Sequence, residues 1–224
     1  MVYKPLTHQK TRQELAAAIE NLYMVFSAYP LSEVIHGCPC CVHDEDHQNL
    51  RSAPLRELTL PALRRYSEKA MTTWGDVDDF RHFLPRLLEL VPENPLLFVE
   101  EILFGKLNYG KWWTWSESEQ KAIDRYLQAL WAKTLASKIP YEHSYTEEYL
   151  CCIGMLVDDI SPYLEMWQAD QRARSRRHLA NFAWENGEAI ANGELNDAFW
   201  HGAEDNMKKV VAWLKEQQID VWEP

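Results

Sequence analysis

The stretch that decides the fold is residues 116–138, SESEQKAIDRYLQALWAKTLASK. It opens on Ser116 and Glu119, a spacing that predicts a capping box at the start of a helix. Apolar residues then recur every three or four positions, at Ile123, Tyr126, Leu127, Leu130, Trp131 and Leu135. Such a stripe is typical of an amphipathic helix that packs one face against a core.

The same periodicity extends along most of the chain. A first helix is predicted after a capping box at Thr11 and Glu14, with the stripe Leu15, Ala18, Ile19, Leu22, Val25 and Phe26. Further helices are predicted over residues 59–75, 76–92 and 94–107, over 146–167 with a break near Ser161-Pro162, and over 171–218. No segment alternates with a period of two, and only 8 glycines are present, which argues against hairpin-rich β structure. We therefore expect a single all-α domain over residues 1–224, built of helical hairpins stacked as an irregular bundle.

Two predicted helical segments share a short pattern. VDDFRHFLPRLLEL (residues 77–90) and VDDISPYLEMW (residues 157–167) both carry Val-Asp-Asp, an apolar residue, and a Pro followed two residues later by Leu. The first segment in particular resembles the α-solenoid repeats of the HEAT type. This resemblance implies a short HEAT-like solenoid as the alternative to an irregular bundle.

The segment from residue 31 to residue 54 lacks helical periodicity and contains IHGCPCCVHDEDH (residues 35–47). A loop this long is usually functional or disordered, and a bound metal would order it. Cys38 and Cys41 have the C-x-x-C spacing that lets two thiolates face one metal ion. The other candidate ligands for a zinc ion are Cys40, His36, His43 and His47.

The same cluster permits other interpretations. The cysteines could be buried as small apolar residues, or Cys38, Cys41 and His43 could form a redox sensor or a zinc- or thiol-dependent active site. A thioredoxin-like site is not supported, because no strand is predicted before the motif. A metalloprotease motif is also absent, because Asp44 follows His43 where H-E-x-x-H requires Glu.

A second group of candidate residues is aromatic. Trp112, Trp113 and Trp115 lie in the glycine-bearing stretch NYGKWWTWSESE, just before the helix at residue 116. Clustered tryptophans in a loop are plausible anchors for a protein partner. They could equally close over a core, since Trp is highly buried on average.

The overall charge narrows the class of partner. The chain has 224 residues, a formal net charge of −11 and an isoelectric point near 5.2. Such a surface repels a phosphate backbone, so a nucleic-acid ligand is not expected, and a basic protein is the better-matched partner. The number of cysteines is odd, and four of them form two pairs adjacent in sequence, which predicts reduced thiols. The sequence shows no signal-peptide pattern and no long apolar run, so we expect a cytoplasmic protein without a membrane span.

Together these patterns predict a protein that binds another protein and does not catalyse a reaction, because phosphate loops, nucleophile elbows and dinucleotide fingerprints are absent from the sequence. A small acidic bacterial immunity protein that covers the basic active site of a nuclease toxin fits this charge and size. A zinc ion, if bound in the 36–47 loop, would be structural and would attach that loop to the helices. The alternative is an enzyme or a metal or redox sensor centred on Cys38 and Cys41.

Overall fold

The computed structural model describes residues 4–93, 100–138 and 145–217, and within them the fold is all-helical with no strand. The all-α prediction is therefore confirmed. The α-helices are α1 (His8–Phe26), α2 (Asp44–Leu50), α3 (Leu60–Lys69), α4 (Val77–Leu90), α5 (Glu100–Tyr109), α6 (Glu117–Ala136), α7 (Thr146–Leu156), α8 (Ser161–Ala169), α9 (Ala173–Glu185), α10 (Gly187–Asn192) and α11 (Glu204–Glu216). None of these described helices combines the length and apolar character that a membrane span requires.

The chain divides into two compact units, and α1 and α6 each contribute to both. The central unit comprises residues 16–126, and the terminal unit comprises residues 1–15 together with 127–224. The single domain expected from the sequence stays a prediction.

The core of the central unit is centred on α4. Asp76 caps this helix by accepting the N–H groups of Asp78 and Asp79 at 2.9 and 3.0 Å, and the carboxylate of Asp79 accepts the N–H of Asp76 at 3.1 Å. The apolar face predicted from the sequence is fully buried and consists of Phe80, Phe83, Leu84, Leu87 and Leu88. Tyr66 of α3 packs on this face, with its ring centroid 4.7 Å from that of Phe83 and 5.3 Å from that of Trp74.

The core of the terminal unit is built around Trp167 of α8. Its ring lies 5.2 Å from that of Trp131, 5.7 Å from that of Phe182 and 5.4 Å from that of Trp213, measured between centroids. The indole N–H of Trp131 donates to the carbonyl of Tyr163 at 3.0 Å, so a large apolar ring is buried without an unsatisfied donor. Cys151 and Cys152 of α7 are both fully buried, as the core interpretation of these two residues predicts.

Several predicted helix boundaries are wrong. α1 begins at His8 and not at Thr11, because the hydroxyl of Thr7 accepts the N–H of Lys10 at 3.3 Å and supplies the cap one turn earlier. α3 ends at Lys69 and not at Gly75, which instead lies in a turn with a φ of +69°. The predicted start of the helix over 94–107 and the end of the last helix at residue 218 lie outside the described residues.

The two segments that suggested a repeat follow different backbone paths. In the first, Val77, Asp78 and Asp79 form the first turn of α4. In the second, residues 157–159 precede α8, which begins only at Ser161, so the predicted break near Ser161-Pro162 is confirmed. The HEAT-like arrangement stays a prediction.

Candidate metal centre

The C-P-C-C turn brings three thiols together. The carbonyl of Cys38 accepts the N–H groups of Cys41 and Val42, each at 2.9 Å, which folds residues 38–42 into a single helical turn. The Sγ atoms of Cys38, Cys40 and Cys41 all lie within 4.8 Å of one another. The separations are 2.8 Å between the Cys38 and Cys40 sulfurs and 3.5 Å between the Cys40 and Cys41 sulfurs.

This spacing fits one thiophilic ion. Thiolates bound to one tetrahedral zinc at about 2.3 Å are separated by about 3.8 Å, so only small side-chain rotations would place all three sulfurs on a common ion. Cys38 and Cys41 are half-buried and Cys40 is exposed. The cluster is therefore open to solvent on one side, and an ion held there would have an accessible fourth position.

Cys38 and Cys40 differ in acidity because of the hydrogen bond between them. The pKa of Cys38 is lowered, first by hydrogen bonds with the thiol and the backbone of Cys40 and then by those with Cys41. The same contact with Cys38, followed by that with Cys41, raises the pKa of Cys40 to about 11. Cys38 is thus the more acidic of these two thiols, and a metal cation that binds the cluster would displace thiol protons.

Contacts that involve no cysteine side chain hold this turn in place. The N–H of Cys38 donates to the carbonyl of Thr73 at 2.8 Å, and the N–H of Gly75 donates to the carbonyl of His36 at 2.7 Å. The guanidinium of Arg65 donates to the carbonyl of Cys41 at 2.8 Å. The main-chain groups of the segment therefore join it to the α3–α4 turn and to the side chain of Arg65 in α3.

Side-chain contacts complete this attachment. Arg65 also pairs with Asp46 at 3.0 Å, and Asp46 accepts the N–H of His43 at 2.9 Å. Ile35 and Val42 bury their side chains on either side of the thiol turn. The thiols consequently lie on a loop that the protein already orders, so a metal would be added to a formed site.

The structure does not bring the predicted histidine ligands into this group. Within the part of the chain that the structure describes, the three thiols alone form the cluster, and His36, His43 and His47 lie outside it. His36 and His43 are exposed. The ring of His47 packs edge-on against Trp74 with 5.3 Å between centroids.

Part of the segment predicted as a loop is helical. α2 occupies Asp44–Leu50, and Leu55–Glu57 forms a short 3₁₀ turn. Acidic residues at the first turn of α2, Asp44, Glu45 and Asp46, favour the helix through its dipole. A seven-residue helix has too few apolar positions to show a period, which is why the sequence did not reveal it.

The three predicted anchor tryptophans take different positions. Trp112 and Trp115 are buried, and the indole of Trp115 donates to the carbonyl of Gly110 at 2.9 Å while its ring packs against Phe26. Trp113 is 55% exposed, and Tyr109 nearby is 60% exposed. The core interpretation thus holds for two of the rings, and one is presented to solvent.

The residues that position the thiols were not predicted from the sequence. Arg65 bonds to the backbone of Cys41, 24 positions away, and Thr73 bonds to the backbone of Cys38, 35 positions away. Contacts of this kind leave no pattern in the sequence. No protein-family model, curated protein or solved structure matches the chain.

Proposed function

We propose that this protein is a non-enzymatic helical binding module, cytoplasmic and directed at a basic protein, that holds one zinc ion on the thiolates of Cys38, Cys40 and Cys41. The observation that supports the metal is the convergence of three sulfurs within 4.8 Å on a loop that other residues order. Thiolate ligands select soft or borderline ions such as zinc and monovalent copper over magnesium or calcium. Water completes the coordination, because His36, His43 and His47 lie outside the cluster.

The metal site is tested by measuring the number of zinc ions per chain. We expect about one zinc per chain after purification under reducing conditions without a metal-chelating tag. Thiols at the three positions should react with a thiol reagent only after a chelator is added. The C38S/C40S/C41S variant should contain no zinc, whereas the control C151S, in the other unit, should keep it. Zinc-free wild-type protein that also takes up no added zinc would refute the metal site.

The partner-binding part of the proposal is supported by charge and by Trp113. A net charge of −11 gives an attractive field for a basic protein, and an exposed indole can supply a desolvated anchor within that contact. An inhibitor or immunity protein would work in this way.

The test is co-purification with a basic protein, which we expect to weaken as the salt concentration rises. W113A should reduce the amount of partner retained, whereas the control W184A, in the other unit, should leave it unchanged. Salt-independent retention would count against an electrostatic contact.

A thiol-based sensor is the second candidate, and the exposure of Cys40 beside an acidified Cys38 favours it. In this case the purified protein contains no zinc, and iodoacetamide labels Cys38 rapidly near neutral pH. The stoichiometry and the labelling rate together separate the two functions.

A further inference from the structure

Positive charge is concentrated in one part of the terminal unit, although the whole chain is acidic. Residues 4–13, 127–138 and 171–184 contain basic side chains and no Asp or Glu. These three stretches include the start of α1, the end of α6 and the start of α9, and all of them belong to the same unit. Together they hold nine of the 23 lysines and arginines, namely Lys4, Lys10, Arg12, Lys133, Lys138, Arg172, Arg174, Arg176 and Arg177.

Hydrogen bonds bring the three stretches together in the fold. The guanidinium of Arg172, directly before α9, donates to the carbonyl of Leu6, which lies two residues before α1. The guanidinium of Arg174 donates to the carbonyl of Ala136, the last residue of α6, at 3.1 Å. The start of α9 is therefore in contact with both of the other stretches, and their basic side chains share one region of the surface.

The positive charges converge around His8, the exposed first residue of α1. Burial, and then the charges of Arg174, Arg12, Lys133 and Arg172, lower the pKa of this histidine. Cations that lie on α1, on α6 and at the start of α9 thus act on a single ring. We refer to His8 and these four basic residues as the His8 patch.

Part of the positive charge in the His8 patch has no protein counter-ion. The nearby carboxylates are already paired, in the ion pairs Asp170–Arg172 and Glu14–Lys10. Arg12 and Arg174 are exposed, and among the described residues neither has a carboxylate partner. The N-terminal end of α9 adds partial positive charge, and no side chain caps it. Guanidinium groups in this state have N–H donors available for an external oxyanion.

We propose that the His8 patch binds a small anion that carries two or more phosphate groups. Guanidinium groups can donate two parallel hydrogen bonds to one phosphate, and cations from several helices can contact phosphates that are linked to each other. The ligand is compact because the net charge of the chain is −11, so a nucleic acid or a membrane surface would extend over the acidic remainder. This site lies in the unit that does not contain the thiol cluster, and it does not depend on the proposed function.

The test is isothermal titration calorimetry of the full chain with inorganic pyrophosphate at low ionic strength. We expect one saturable site per chain, with an affinity that falls as the salt concentration rises. R12Q and R174Q should each weaken binding by about tenfold, because each removes charge-assisted hydrogen bonds. R64Q is the matched control, since it removes the same charge from an exposed arginine of the central unit and should leave the affinity unchanged.

Two further ligands identify the source of the phosphates and the size of the anion. A parallel titration with a nucleoside diphosphate shows whether free or esterified phosphates bind more tightly, and saturable binding of either that R12Q weakens supports the proposal. Single-stranded DNA and vesicles that contain phosphatidylserine should bind more weakly than pyrophosphate.

Three results would overturn the proposal. If the folded wild-type protein bound neither pyrophosphate nor the nucleoside diphosphate, the arginines of the patch would only be solvated. An equal loss of affinity in R64Q and R12Q would mean that overall charge, and not the His8 patch, determines binding. Tighter binding of DNA or vesicles that R12Q reduces would assign the patch to an extended polyanion.

Discussion

At the scale of single residues, Asn206 shows how one side chain can define a connection between helices. Its amide nitrogen donates to the carbonyls of Gly154 and Val157 at 2.9 and 2.8 Å, and its oxygen accepts the N–H of Ile160 at 3.1 Å. These groups lie at the end of α7 and before α8, where helix ends leave backbone groups without intrahelical partners. Asn206 is buried, so water cannot replace these bonds.

We predict that N206A lowers the free energy of unfolding by about 3 kcal/mol, because it leaves buried backbone groups unsatisfied. N192A is the matched control, since its amide makes one exposed bond to the carbonyl of Glu188, and it should change stability by less than about 0.5 kcal/mol. Urea unfolding followed by circular dichroism measures both. A loss below about 1 kcal/mol for N206A would show that the α7–α8 connection is held by apolar packing instead.

The residues of the candidate site were only partly predictable at this scale. The cysteines were found because C-x-x-C is a local spacing that a tight turn converts directly into a short distance between sulfurs. The prediction that His36, His43 and His47 are metal ligands was wrong, because proximity in sequence does not define the direction of a side chain. His47 turns toward Trp74, where its ring finds an aromatic contact. Trp112 and Trp113 are neighbours in sequence, yet one is buried and the other exposed.

At the scale of elements, helices with a strong local cap were predicted well. Ser116 and Glu119 form the capping box expected at α6, with the N–H of Ser116 bonded to the Glu119 carboxylate at 2.8 Å. Thr11 and Glu14 have the same spacing but lie inside α1, where the Thr11 hydroxyl bonds to the carbonyl of His8 at 2.9 Å. The motif is ambiguous because a helix interior can also satisfy the threonine hydroxyl in this way.

The early end of α3 could not be predicted, because non-local contacts decide where this helix stops. The residues after Lys69 leave the helix, and there the carbonyl of Thr73 and the N–H of Gly75 pair with the 36–38 segment. These two segments are more than thirty residues apart in sequence. The sequence prediction extends α3 to Gly75 because no proline or glycine interrupts residues 70–74, and the structure pairs this stretch with the thiol loop instead.

At the scale of the whole molecule, the division into two units indicates which residues a bound metal should stabilise. The thiol cluster and all of the contacts described for its loop belong to the central unit. A ligand that binds the native state stabilises it by mass action, by about 2.7 kcal/mol at a concentration one hundred times its dissociation constant. This stabilisation is distinct from formation of the fold, because the carbonyl of Thr73 accepts a hydrogen bond from the loop and the guanidinium of Arg65 donates one to it, and neither contact involves the thiols.

We therefore predict that removing zinc leaves the helical fold intact and changes only the thiol loop and its surroundings. The chelated protein should keep its circular dichroism spectrum, since the turn, α2 and α3 are held by protein contacts. Hydrogen exchange should speed up at the amides of Cys41 and Val42, whereas amides of α8 and α11 in the terminal unit should not respond. R65A, which removes the bond to the Cys41 carbonyl, should weaken zinc binding by loosening the thiol turn, and the surface variant R64A should not. Collapse of the helical spectrum on chelation would instead make the metal a requirement for folding, as in small zinc domains that unfold without it.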